Sequence, residues 1–209
     1  MKRAALFDLD GTLWDACEVV TASWNRTIAA SPLRGRVLTL AEVRGVMGLQ
    51  LQPIAERFFP DVEETLRIRV MQQCCEEECA ALREQGGQLF EGVPETLRQL
   101  AEGRFLAVVS NCQCGYIEAF LQAHGLGDCF RDTICEGDTG RSKADNIRLL
   151  MERNGLTDAV YVGDTEGDEA AARQAGVPFI HAAYGFGTAA KPCAVLRNFC
   201  GLPALLETL

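Results

Sequence analysis

The sequence predicts an α/β protein: a doubly wound parallel sheet with an α-helical insertion after its first strand. Three observations predict it. The apolar run "AALF" ends at Asp8, as a strand buried on both faces would end. Residues 15–88 carry helical patterns and no strand signal. After Gly86-Gly87, short apolar runs alternate with amphipathic stretches, which implies right-handed crossovers and parallel pairing. The expected division is therefore a core of residues 1–14 and 89–209 and a helical cap of residues 15–88.

Each element has its own signal. In "DACEVVTASWNRTIAA", Val19, Val20, Trp24 and Ile28 recur at helical spacing, and Ser31-Pro32 stops the helix. "TLAEVRGVMG" opens with Thr39 and Glu42 in capping-box spacing and closes at Gly48. "DVEETLRIRVMQQCCEEECAALREQ" reads as one long helix, with Leu66, Val70, Cys74 and Leu82 among its apolar positions. Pro94 opens the helix "ETLRQLAE", and the strand "RFLAVVS" ends at Ser110. The helix "YIEAFLQAHG", the short strand "FRDTIC" and a helix capped by Ser142 follow. "AVYVGD", "DEAAARQAG" and "VPFIHAA" complete the alternation as strand, helix and final strand.

Composition narrows the function classes. The net charge of −9, from 29 acidic and 20 basic residues, argues against nucleic-acid binding, which needs a basic face. No apolar stretch is long enough to cross a bilayer, and the N-terminal segment reaches Asp8 before a signal-peptide core could form. A cytoplasmic protein is expected. The ten cysteines show no two CxxC pairs, and both histidines, His124 and His181, stand far in sequence from the cluster Cys74, Cys75 and Cys79, so reduced thiols are expected.

Ligands of open parallel sheets bind at the carboxyl ends of the strands. Here the first strand delivers Asp8 and Asp10, the second Ser110 and Asn111, and a helix start Lys143. The strand "AVYVG" delivers Asp164, with Asp168 four residues on. Four carboxylates at one edge cannot all stay ionised without a cation. Oxygen donors suit Mg2+, which commonly joins carboxylates to substrate phosphates. A lysine opening a helix opposes the helix dipole, which favours a functional role for Lys143.

"DLDGT", a strand-end serine, a helix-leading lysine and "GDTEGD", in that order, resemble the four motifs of the haloacid dehalogenase superfamily. The resemblance covers the whole chain and is nearest to the branch of phosphoglycolate phosphatase and β-phosphoglucomutase, which carries a helical cap. It implies roles by position. Asp8 is the nucleophile that takes the phosphoryl group, and Asp10 the acid, then base, of the two steps. Ser110 and the backbone N–H of Asn111 bind a phosphoryl oxygen, and Lys143 neutralises charge. Mg2+ is held by Asp8, the main-chain carbonyl of Asp10 and Asp164. Asp168 either completes the metal site through water or orients Lys143. An aspartate at position 10 favours phosphoryl chemistry over carbon–halogen cleavage.

In the cap, Arg44 stands before Gly48 in a region similar to the substrate-facing loop of capped relatives. There it would either pair with a carboxylate or second phosphate of the leaving group or stand as a solvent-exposed arginine. Trp14 and Trp24 are expected to pack, and Glu166 and Glu169 to be helix-start charges. The expected activity is Mg2+-dependent hydrolysis of a small phosphorylated metabolite, with 2-phosphoglycolate as a candidate. The alternatives are a sugar phosphomutase and, in another class, a non-catalytic phospho-acceptor switch.

Overall fold

The computed structural model describes residues 3–208. Six strands form one parallel sheet: β1 (Arg3–Phe7), β4 (Phe105–Ser110), β5 (Asp132–Cys135), β6 (Asp158–Gly163), β7 (Phe179–Ala182) and β8 (Ala194–Leu196). Their order is β5-β4-β1-β6-β7-β8. The chain therefore leaves β1 in one direction to β4 and in the other to β6. The carboxyl end of β1 lies at this switch point, where open sheets bind ligands.

The strand residues explain the sheet's position. Leu6, Phe7, Leu106, Val108 and Val109 are fully buried, because helices cover both faces. One face carries α5 (Val93–Ala101) and α6 (Tyr116–His124), with Phe7, Phe120 and Phe130 meeting edge to face. The other carries α8 (Lys143–Arg153) and α9 (Glu166–Ala175), packed on Leu6, Ala107 and Tyr161. The sequence reading missed α7 (Glu136–Thr139), α10 (Leu202–Leu206) and β8, so "VPFIHAA" is not the last strand. β8 is three residues long with one buried position, too short to show a period.

Between β1 and β4 the chain builds α1 (Cys17–Ala30), α2 (Leu40–Arg44), α3 (Leu51–Phe58), which the sequence reading also missed, and α4 (Glu64–Gln85). The α1 helix packs along α4, and Trp24 meets Phe58. Thr39 and Glu42 form the expected capping box at α2. The expectation of no strand in this stretch fails at its ends. β2 (Trp14–Asp15) and β3 (Gln88–Leu89) pair antiparallel, Trp14 opposite Leu89 and Asp15 opposite Gln88, so the chain enters and leaves the helices through a short two-stranded ribbon.

Candidate active site

The turn after β1 places Asp8 and Asp10, both buried, at the sheet's carboxyl edge. The Asp8 backbone N–H donates to the Val162 carbonyl at 2.8 Å, which carries the pairing of β1 and β6 one residue past the strand. Gly11 then takes φ +78°, the left-handed region that favours glycine. It has a second reason to lack a side chain: a Cβ there would come within 2.6 Å of the Asp164 carboxyl carbon.

Lys143, first residue of α8, is buried and joins two carboxylates. Its Nζ donates to Asp8 Oδ1 at 2.8 Å and to Asp168 Oδ1 at 2.6 Å. Burial works against the ammonium, but the charges of Asp168 and Asp8 outweigh it and hold its pKa well above the usual lysine value. The second oxygen of Asp168 accepts from the Thr165 backbone N–H at 3.0 Å and its hydroxyl at 2.7 Å, closing a capping box at α9. Both Asp168 oxygens are thus taken by protein donors, one of them Lys143.

Asp164 differs. Its Oδ2 accepts from the Phe186 backbone N–H at 2.7 Å, but its buried Oδ1 has no partner in the protein. Burial, then the charge of Asp168, push its carboxyl up to about 7, against the pull of the Phe186 N–H. Asp8 also rises to about 7, through burial first, then the charge of Asp168, with Lys143 opposing. Oxygens of Asp8, Asp164 and Asp168 lie within 4.8 Å of one another. Hard oxygen donors, a shared repulsion and an orphaned buried oxygen fit a divalent cation. The Asp10 carboxylate is outside this group.

Asp10 is held instead by two donors to Oδ1, the Tyr116 hydroxyl at 2.8 Å and Trp14 Nε1 at 3.0 Å. Burial and then the charge of Asp8 push its carboxyl up to about 7, opposed by those hydrogen bonds. Trp14 packs as expected, against Phe120 and Tyr116, and in addition it orients a carboxylate. Tyr116 was missed, because a tyrosine at a helix start reads as a packing residue.

Ser110, at the end of β4, is buried, and its Oγ accepts from the Cys112 N–H at 3.3 Å. Asn111 reaches across to the helical insertion, its Nδ2 donating to the Gly48 carbonyl at 2.9 Å. Asp10, Ser110 and Asn111 border a cavity of about 190 Å³ between the sheet edge and the insertion. Arg44, expected at the substrate, does not line it. Its guanidinium pairs with Asp15 at 2.8 Å and lies over the Phe186 ring at 5.5 Å. The α2 helix is five residues long and turns that side chain towards the ribbon. Glu169 is more than a helix-start charge: its buried carboxylate accepts the N–H groups of Ala190 and Lys191. All ten cysteines are free thiols.

Comparison with known proteins bears on the family and the fold. The haloacid dehalogenase-like hydrolase family model matches residues 5–182. The phosphoglycolate phosphatase of Xanthomonas campestris is 32% identical, over 88% of this chain and 84% of that protein. That of Yersinia pestis is 29% identical, over 98% and 96%. Among solved structures, a predicted phosphoglycolate phosphatase from Haemophilus somnus superposes with a TM-score of 0.84 at 21% identity, covering 98% of each chain. A predicted phosphatase from Clostridium acetobutylicum gives 0.83 at 23% identity over the whole of both chains.

Proposed function

The chain belongs to the haloacid dehalogenase-like hydrolase family, as a phosphatase similar to the phosphoglycolate phosphatases, and on that premise we propose that it is a Mg2+-dependent hydrolase of small phosphomonoesters working through an aspartyl phosphate. The observation that carries this reading is the arrangement around Asp164: an unpartnered buried oxygen beside Asp8, which Lys143 holds in place.

In the first step Asp8 attacks phosphorus while the bond to the leaving oxygen breaks, and Asp10 gives that oxygen its proton. A carboxyl poised near 7 is partly protonated at neutral pH, which suits this task. In the second step Asp10 takes a proton from the water that attacks the phosphorus. Phosphate leaves, and the Asp8 carboxylate returns. Ser110 and the Asn111 N–H hold a phosphoryl oxygen. Lys143 offsets charge on the phosphoryl group and on Asp8, and Asp168, whose other oxygen is fixed by Thr165, positions Lys143. Asp8, Asp164 and the Asp10 carbonyl would hold Mg2+, which supplies charge neutralisation and alignment for the transferred group.

Residues 15–88 act as the cap and the β2–β3 ribbon as its hinge. The relatives' names make 2-phosphoglycolate the first substrate to assay. The test is hydrolysis of a panel of phosphorylated metabolites with and without Mg2+, in the wild type and in Asp8→Asn. The variant should stay folded, lose turnover and form no acid-stable, hydroxylamine-sensitive phosphoprotein. Turnover near wild type in Asp8→Asn refutes the assignment.

A further inference from the structure

Glu78 is the one glutamate of "EEE" in α4 that turns inward, and it is buried in the wall of the cavity beside Asp10 and Ser110. Its Oε1 accepts from Gln113 Nε2, while its Oε2 has no partner. The Trp24 indole stands beside it, also buried, and its Nε1 closes no hydrogen bond. The remaining cap wall is apolar: Val20, Met47, Leu51 and Ile54. Among the described residues no Lys, Arg or His lines the cavity. Lys143 is committed to Asp8 and Asp168, and Arg44 to Asp15.

We propose that Glu78 selects the leaving group: the enzyme prefers phosphomonoesters whose alcohol presents an apolar body and a hydrogen-bond-donating or cationic group to Glu78, and disfavours those carrying a carboxylate or a second phosphate. This deepens the phosphatase reading and rests on it. The physical reason is that a buried carboxylate oxygen is costly until a donor meets it, and an anion placed against the ionised carboxylate meets like charge with no cation to offset it. Burial pushes the carboxyl up to about 8, with Gln113 and then the neighbouring Trp24 indole pulling the other way. It is therefore largely protonated at neutral pH, and an incoming donor or a pH above 8 brings out the ionised form that discriminates. The cavity thus argues against 2-phosphoglycolate as the preferred substrate, and against a bisphosphate reorienting beneath the cap.

Three probes of similar size test this at about pH 9, where Glu78 is ionised: 2-aminoethyl phosphate, propyl phosphate and 2-phosphoglycolate, assayed with saturating Mg2+ in the wild type and in Glu78→Gln. The change in kcat/KM from wild type to variant, taken substrate by substrate, cancels differences in leaving-group reactivity. For Glu78→Gln we expect 2-phosphoglycolate to rise and 2-aminoethyl phosphate to fall, each by about tenfold or more, with propyl phosphate nearly unchanged. Equal changes in all three overturn the assignment of Glu78 and leave the hydrolase intact. If Glu78→Gln fails to fold, Glu78→Asp keeps the charge and withdraws it by one methylene. The discrimination should then shrink, and a ratio identical to wild type refutes the proposal. A wild type that hydrolyses none of the probes, nor p-nitrophenyl phosphate, refutes the phosphatase reading beneath it.

Discussion

Gly11→Ala tests the geometry with a single methyl group. At φ +78° an alanine adopts the left-handed conformation, which costs roughly 1–2 kcal/mol. For a chain of this length that lowers Tm by roughly 2–8 °C. The steric effect is more specific. The new Cβ would lie 2.6 Å from the Asp164 carboxyl carbon, some 0.8 Å inside the 3.4 Å at which ordinary contact begins, so either Asp164 or the Asp8–Asp10 turn must move. A shift near 1 Å among reacting groups costs about a hundredfold in rate. The assay is kcat/KM on p-nitrophenyl phosphate with saturating Mg2+, beside a thermal melt. Gly103→Ala is the control, since a Cβ there meets nothing within 4 Å and its φ is ordinary. Gly11→Ala should melt a few degrees lower and lose about two orders of magnitude of activity. Wild-type turnover in this variant would show that Asp164 need not stand against the β1 turn, and the site as drawn would fail.

Asp10→Asn should be severe with alkyl phosphates and milder with p-nitrophenyl phosphate, whose leaving group needs no proton; an equal loss on both excludes the acid role. Mg2+ at about a hundred times its Kd should stabilise the wild type by about 2.7 kcal/mol. Asp164→Asn should abolish that gain, and an undiminished rise in Tm would remove Asp164 from the ion's ligands. A pH series probes Glu78. Its folded carboxyl titrates near 8 against an ordinary 4.5, so its contribution to stability is fully present below 4.5 and fades as pH rises through 8. The Tm of the wild type should therefore fall more steeply between about pH 5 and 8 than that of Glu78→Gln, and parallel curves would contradict a buried, proton-binding Glu78.

That the candidate side chains gather at one edge of the sheet was legible because strand ends are legible. Asp8, Ser110 and Asp164 each terminate an apolar run, and Ser142 and Thr165 mark the helix starts that carry Lys143 and Asp168. What escaped depends on side chains from distant segments. Tyr116 and Asp10 are 106 residues apart, and their hydrogen bond leaves no trace in local pattern. Glu78 had a readable signal: Met71, Cys74, Cys75 and Leu82 share a helix face, and position 78 falls on it. The surrounding glutamates made it look solvated. Arg44 went astray for the converse reason, since its spacing within α2 could not disclose that Asp15 and Phe186 would claim it.

The narrow ribbon at the root of the helices bears on how such an enzyme diversifies. Two residues from each arm fasten the insertion, Trp14 and Asp15 on one side and Gln88 and Leu89 on the other, so its two stems leave the sheet together. Everything strung between them can be lengthened, trimmed or exchanged without sliding any strand of the reacting edge out of register. Descendants of this scaffold are free to acquire new tastes while keeping the old chemistry. Trp14 limits that freedom, since it belongs to the fastening and also steadies Asp10, and so do Asn111 and Gln113, which reach across to Gly48 and Glu78.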